Sequence, residues 1–149
     1  YWGRPEDTAS VLRPNPFRHA VHGGETVCYS GDLVTEDAEG FLYFVGREDA
    51  MIKSAGYRIS PTEVEDALMS TGAFQQVAVI GVPDEWVGQK VLAVGVAAAA
   101  ETDTKAVIRA VGRQLPGHMV PSRIELVEAL PVSPNGKVDY KRLAAEWAR

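Results

Sequence analysis

Lys137 follows Pro134-Asn135-Gly136 in this 149-residue chain, and those residue types in that order form a turn that presents the lysine at a loop tip. A long, flexible ammonium placed there can reach an anion on a partner domain as a point charge. The spacing from Pro131 to Val138 imitates a Walker-type phosphate loop. Such a loop needs glycine first and a hydroxyl residue after the lysine, and Pro131 and Val138 occupy those places, so that reading is excluded. Two further places could do chemistry. Gly56 has no Cβ, so backbone there can approach a ligand closely, and Lys53 and Arg58 flank it with positive charge suited to phosphate oxygens. Asp32, after Ser30-Gly31, offers a carboxylate whose charge-assisted hydrogen bonds would be about twice as strong as neutral ones.

Other reactive residue types carry less. His19 and His22 have a helical metal spacing, but the nearby prolines oppose a helix and no third ligand is evident, so no metal is expected. His118 lies in Leu115-Pro116-Gly117-His118-Met119-Val120-Pro121, which reads as a structural turn from helix to strand. Cys28, the single cysteine, cannot form an intrachain disulfide, and without a flanking cation it reads as a small buried apolar residue.

The elements that must position these residues follow from breakers and periodicity. Pro5, Pro14, Pro16 and Gly23-Gly24 break helical periods in the first third, leaving short strands at 26–29 and 41–45. A turn at Glu36-Asp37-Ala38-Glu39-Gly40 would make those two strands antiparallel neighbours. Ser60, Pro61 and Glu63 form a capping box for a helix from Pro61 to about Thr71, with Val64, Ala67, Leu68 and Thr71 on one face and Gly72 as its stop. Strands are expected at 77–82 and 91–97. A helix capped by Thr102 or Asp103 should run to Pro116-Gly117, followed by a strand at 124–127 and a last helix at 140–148. That order gives an α+β fold, with helices packed on a short, mainly antiparallel sheet.

Composition narrows the class. An apolar fraction of 46% and a charged fraction of 23% are those of an ordinary globular domain. A net charge of −5 argues against nucleic acid, whose binding rests on clustered cations. The longest low-polarity stretch, 91–100, is too short to span a bilayer, so no membrane partner is expected; with a single cysteine and no secretory h-region the chain reads as cytoplasmic. Tyr1-Trp2-Gly3 at the start, without an initiator Met, reads as a segment of something longer.

Four segments resemble, in order, the conserved motifs of the adenylate-forming enzymes: acyl-CoA synthetases, firefly-type luciferases and nonribosomal peptide synthetase adenylation domains. They are Tyr29-Ser30-Gly31-Asp32-Leu33, the run from Gly46-Arg47-Glu48-Asp49 through Lys53-Ser54-Ala55-Gly56-Tyr57-Arg58-Ile59 to Glu65, the turn around His118, and Pro131-Val132-Ser133-Pro134-Asn135-Gly136-Lys137-Val138-Asp139. The second is the most specific, and together they cover nearly the whole chain. The resemblance implies that Asp32 holds the ribose hydroxyls, that Arg47 lies beside the ribose, and that Arg58 serves adenylate oxygens. It makes Asp49 a hinge, Gly56 the glycine past which the pantetheine arm of CoA slides with Lys53 beside it, and Lys137 the catalytic lysine. Relatives carry other polar residues at the position of Arg58, and commonly a tyrosine at that of His118.

The same resemblance implies an organisation and an activity. Residues 1–46 would be the β-rich end of a large N-terminal adenylation domain, 47–51 the hinge, and 52–149 the mobile C-terminal α+β domain. The parent enzyme would be an ATP-dependent acyl-CoA ligase that converts a carboxylic acid to acyl-AMP and passes it to CoA. Most of the ATP and Mg²⁺ site would lie in the missing N-terminal domain, leaving this chain inactive alone. Loading of a carrier-protein phosphopantetheine thiol, or a non-catalytic interaction module, are the alternatives. The acyl substrate is not legible, because its pocket would lie in the absent part.

Overall fold

A computed structural model describes residues 2–16 and 25–147, and divides the chain into two compact units, Tyr1–Phe44 and Val45–Arg149. In the first unit Pro5 starts a helix rather than preventing one. α1 spans Pro5–Val11, with Glu6 and Asp7 in its first turn and Arg4 paired to Asp7 at 2.8 Å. It runs straight into β1, Leu12–Pro14, which pairs antiparallel with β2, Thr26–Cys28. The expected partnership of 26–29 with 41–45 is therefore wrong. Its real partner ends in Pro14, a residue tolerated at a strand end but read in the sequence as a breaker.

The turn at 36–40 does close a hairpin, between β3, Asp32–Glu36, and β4, Leu42–Arg47. Asp37 organises it. One carboxylate oxygen accepts the N–H groups of Glu39 and Phe41, each at 2.9 Å, and the other accepts the hydroxyl of Tyr43 at 2.8 Å. Those bonds, led by the one from Phe41, hold the Asp37 carboxyl below its ordinary value. Cys28 is exposed, contrary to the buried role expected of it, because the two-stranded ribbon leaves the Thr26 and Cys28 face of β2 uncovered while Val27 is half-buried.

The second unit is α+β and carries its own core. β5, Ile52–Ser54, turns back into β6, Tyr57–Ile59; α2 follows at Pro61–Ser70; β7, Phe74–Asp84, and β8, Gly88–Ala97, form a long hairpin. α3 spans Thr104–Val111, β9 Arg123–Leu126 and α4 Tyr140–Trp147. The strand order is β6-β5-β8-β7, with β9 alongside β8 as the one parallel pairing among the described residues. Pro83 sits inside β7, tolerated because β7 is an edge strand.

Strand alternation sends residues to both faces of this sheet. Val79, Val91 and Ala93 join Val64 and Leu68 of α2 and Val107 and Val111 of α3 on one side. Ala78, Ile80, Leu92 and Val94 join Leu143 of α4 and Leu130 on the other. The result is a three-layer arrangement in which the β7–β8 hairpin is buried on both faces.

Two helix signals changed in detail. Ser60 precedes α2 but makes no capping hydrogen bond; its Oγ donates instead to the carbonyl of Val45 at 2.6 Å, a long-range partner that outcompetes the local one. Asp103, not Thr102, caps α3 by accepting the N–H groups of Lys105 and Ala106, each at 3.0 Å. α3 ends at Gly112, short of Pro116, although Leu115 still packs on the core.

Candidate functional site

Lys137 occupies a clamped turn. Val132 and Val138 form an isolated antiparallel bridge at its base, and the Asp139 N–H donates to the Pro131 carbonyl at 2.8 Å. The carbonyl of Lys137 accepts both the N–H of Ser133, at 2.7 Å, and its hydroxyl, at 3.0 Å. Gly136 takes φ +73°, a left-handed conformation that suits glycine. Backbone fixity and side-chain freedom are thus combined: the residue is exposed, and its ammonium forms no ion pair among the described residues.

The Gly56 segment is a two-residue hairpin turn in which Ala55 has φ +49° and Gly56 φ +84°, the mirror-image turn that matches strand twist. A Cβ added at Gly56 would meet nothing within 4 Å, so open space faces the turn. Ala55 is strained by about 1–2 kcal/mol relative to glycine, and its N–H is held by the Val87 carbonyl at 2.8 Å. Lys53 and Arg58 are register partners across β5 and β6, which puts both exposed cations on one face beside the turn. Arg58 lies 3.8 Å from Glu48, an exposed and therefore weak pair. An open cleft of about 410 Å³ adjoins them, lined by Glu48, Met51, Lys53, Gly88 and Gln89.

His118 stacks on Tyr57, with ring centroids 3.9 Å apart and planes 12° from parallel. It braces the hairpin against the 116–121 turn, a structural task for which any flat ring suffices. Asp32 begins β3 and Arg47 ends β4; both are exposed and each engages another group of the protein. Asp49 lies in a 3₁₀ turn at Glu48–Ala50; its side chain, like His19 and His22, lies outside the described residues. Among the described residues no group of three or more His, Cys, Asp or Glu could hold a metal ion, and no helix is long and apolar enough to cross a membrane.

Sequence reasoning missed Glu65. One of its carboxylate oxygens accepts the N–H of Val79 at 2.8 Å and the hydroxyl of Tyr140 at 2.9 Å, joining α2, β7 and the start of α4. Burial raises its carboxyl, opposed by those two hydrogen bonds, and burial beside Glu65 pushes the Tyr140 phenol far above its ordinary value. The partners lie 14 and 75 residues away, beyond any local pattern.

This fold, with a clamped lysine turn and a glycine hairpin flanked by cations, is that of the C-terminal domain of adenylate-forming enzymes. Residues 63–137 match the family described as AMP-binding enzyme C-terminal domain, and the chain belongs to it. It is 38% identical to a linear gramicidin synthase of Brevibacillus parabrevis over 100% of this chain and 3% of that protein. It is 35% identical to a long-chain-fatty-acid–CoA ligase of Bacillus subtilis over 98% of this chain and 24% of that protein. The chain thus spans a quarter or less of these relatives. Among solved structures, ATP-bound MatB from Rhodopseudomonas palustris superposes with a TM-score of 0.82 at 27% identity, over 99% of this chain and 28% of the other. The amide bond synthetase McbA from Marinactinospora thermotolerans gives 0.82 at 32% identity, over the same shares.

Proposed function

We propose that the chain is the C-terminal part of an AMP-forming acid–thiol ligase, in which it supplies Lys137 to acyl-adenylate formation and the Gly56 turn to thiol capture. The observation that carries this reading is the clamped turn, which fixes the Lys137 backbone by two bonds from Ser133 while its ammonium forms no ion pair among the described residues. In the first half-reaction a substrate carboxylate oxygen bonds to the α-phosphorus of ATP and pyrophosphate leaves. Lys137 offsets the charge that develops on the α-phosphate and carboxylate. In the second, a thiol attacks the acyl carbon, loses its proton and expels AMP.

Asp32 and Arg47 serve the ribose, and the region of Asp49 is the hinge about which the domain alternates between the half-reactions. Gly56 keeps the approach to the reacting carbon open, Lys53 beside it meets phosphate on the thiol carrier, and Arg58 serves the adenylate oxygens. We assign Mg²⁺, with the acyl pocket, to the remainder of the enzyme.

In the full-length enzyme, Lys137→Ala should lower acid-dependent pyrophosphate release by about 10²–10³-fold while sparing thioester formation from supplied acyl-AMP. Gly56→Val should show the reverse. Equal damage to both half-reactions by Lys137→Ala would overturn the reading.

The thiol belongs to CoA on our reading, because the exposed Lys53 beside the open Gly56 turn suits a carrier with several phosphates better than the single phosphodiester of a carrier protein. The carrier-protein alternative draws on the 38% identity to a linear gramicidin synthase, against 35% to a CoA ligase. Offering CoA and a phosphopantetheinylated carrier protein to the same acyl-AMP separates them.

A further inference from the structure

Leu143, 1% exposed, anchors α4 in the core one turn beyond Tyr140. Ala144 and Trp147 pack beside it, and because apolar burial is non-directional these contacts resist separation of α4 from the sheet more than small changes in the angle of its N-terminal end. Directional bonds would have to fix that angle, and the described residues provide them at Asp139 and Tyr140. Asp139 ties the helix to the lysine turn: its N–H reaches the Pro131 carbonyl at 2.8 Å, its carbonyl accepts from Leu143 at 2.9 Å, and its side chain accepts from Arg142 at 3.0 Å. These bonds make turn and helix start one body; Leu130 and Val138 pack it onto the sheet, but apolar contact does not fix its angle. The bond from the Tyr140 hydroxyl to Glu65 at 2.9 Å does so, because the same carboxylate oxygen is held by the Val79 N–H of β7 at 2.8 Å.

We propose that Glu65 is a positioning residue for Lys137, acting through Tyr140 to fix the orientation of the lysine turn relative to the sheet. The inference rests on the assignment of Lys137 to adenylate formation. A half-buried carboxylate is an expensive way to satisfy one backbone N–H, but a charged acceptor gives a stiffer bond to a phenol than a neutral one. Small angular errors at the helix start are carried outward along the chain to the ammonium. Misplacement of a reacting group by about 1 Å is enough to lower a rate by up to about a hundredfold.

The test uses the full-length enzyme, with pyrophosphate release and thioester formation from supplied acyl-AMP measured separately. Tyr140→Phe and Glu65→Ala should each lower pyrophosphate release by between about tenfold and a hundredfold, with thioester formation unchanged. Glu65→Gln keeps an acceptor oxygen for both donors and should restore most of the activity lost in Glu65→Ala. Added to Lys137→Ala, Tyr140→Phe should give no further loss, because an effect exerted through the lysine vanishes with it. Unchanged pyrophosphate release in Tyr140→Phe, equal loss of both half-reactions, or additive loss on the Lys137→Ala background would overturn the proposal. Should Glu65→Ala fail to fold, Tyr140→Phe and Glu65→Gln decide alone: a reduced rate in the first with a near-normal rate in the second supports it, and any other pattern does not. If Lys137→Ala itself leaves pyrophosphate release intact, the parent reading falls; if it abolishes release while Tyr140→Phe is silent, only this inference falls.

Discussion

Two hairpins in this chain are built from similar residues and end in opposite environments. In β7–β8, Ala78, Val79, Leu92, Ala93 and Val94 are buried in consecutive positions, because helices cover both faces of the sheet. In β4, Leu42, Tyr43 and Phe44 are 65%, 56% and 59% exposed in consecutive positions, because neither face is covered. Hydrophobic strand sequence therefore specifies burial without specifying by what. The second unit supplies its own cover, whereas the apolar side chains left exposed along β4 invite a partner surface. On the proposed reading it belongs against the rest of the adenylation domain.

The comparison can be broken most sharply by truncating one residue on each side. Leu92→Ala should destabilise the chain by about 2–5 kcal/mol in urea unfolding, and Phe44→Ala by no more than about 0.5 kcal/mol. In the full-length enzyme Phe44→Ala should become costly; a persistently neutral effect there would show that β4 is solvent-facing in the whole protein too. Hydrogen exchange should rank the same way, with β8 amides opening only near global unfolding and β4 amides exchanging through local opening. Uniform protection of both would remove the distinction.

A smaller contrast concerns pH. Burial raises the Glu65 carboxyl above 4.5, so the folded state holds that proton more tightly than the unfolded chain. Its contribution to stability is complete below that value and declines as pH rises through the raised pKa. Asp37 behaves oppositely: hydrogen bonds hold its carboxyl below 3.8, so its contribution is present above that value and is lost as pH falls through the lowered pKa. Asp84, in the second unit, shares the sign of Asp37, chiefly through its bond with Lys90. Single substitutions must therefore separate them. Glu65→Gln should flatten the decline on the rising side and Asp37→Asn the loss on the acid side, as read from unfolding midpoints across pH. An unaltered profile in Glu65→Gln would show that the carboxyl stays hydrated.

A local effect is expected at Ser60. Removing its hydroxyl by Ser60→Ala leaves the Val45 carbonyl without that donor and should lower stability by about 1 kcal/mol. A larger loss would mean that the hydroxyl also orders the start of α2.

How much the sequence revealed depended on whether a signal was local. α2 was legible because Pro61 and Gly72 stand at its two ends, and the Lys137 turn because Pro134-Asn135-Gly136 has few other uses. The pairing of β1 with β2 was not, since it joins segments separated by residues 15–25 and one of them ends in proline. β3 was missed because Asp32 and Glu36 bracket only a short apolar centre. Ser60 failed in an instructive way: the hydroxyl that a capping rule assigns to its own helix was taken by a carbonyl 15 residues upstream. Glu65 stood in plain view within the most specific motif, but its partners come from two other elements of the fold.

The Ser60 bond also says where this protein can be joined to another. A Cβ at Gly46 would lie only 3.0 Å from the Ser60 oxygen, so positions 46 and 60 are a matched pair, as are the Val45 carbonyl and the Ser60 hydroxyl. Grafting the C-terminal domain onto a different N-terminal domain at Asp49 would take the two halves of each pair from different parents. A seam between Phe44 and Val45 keeps both pairs native, and chimeras joined there should retain the packing at the start of α2 that a graft at Asp49 would leave to chance.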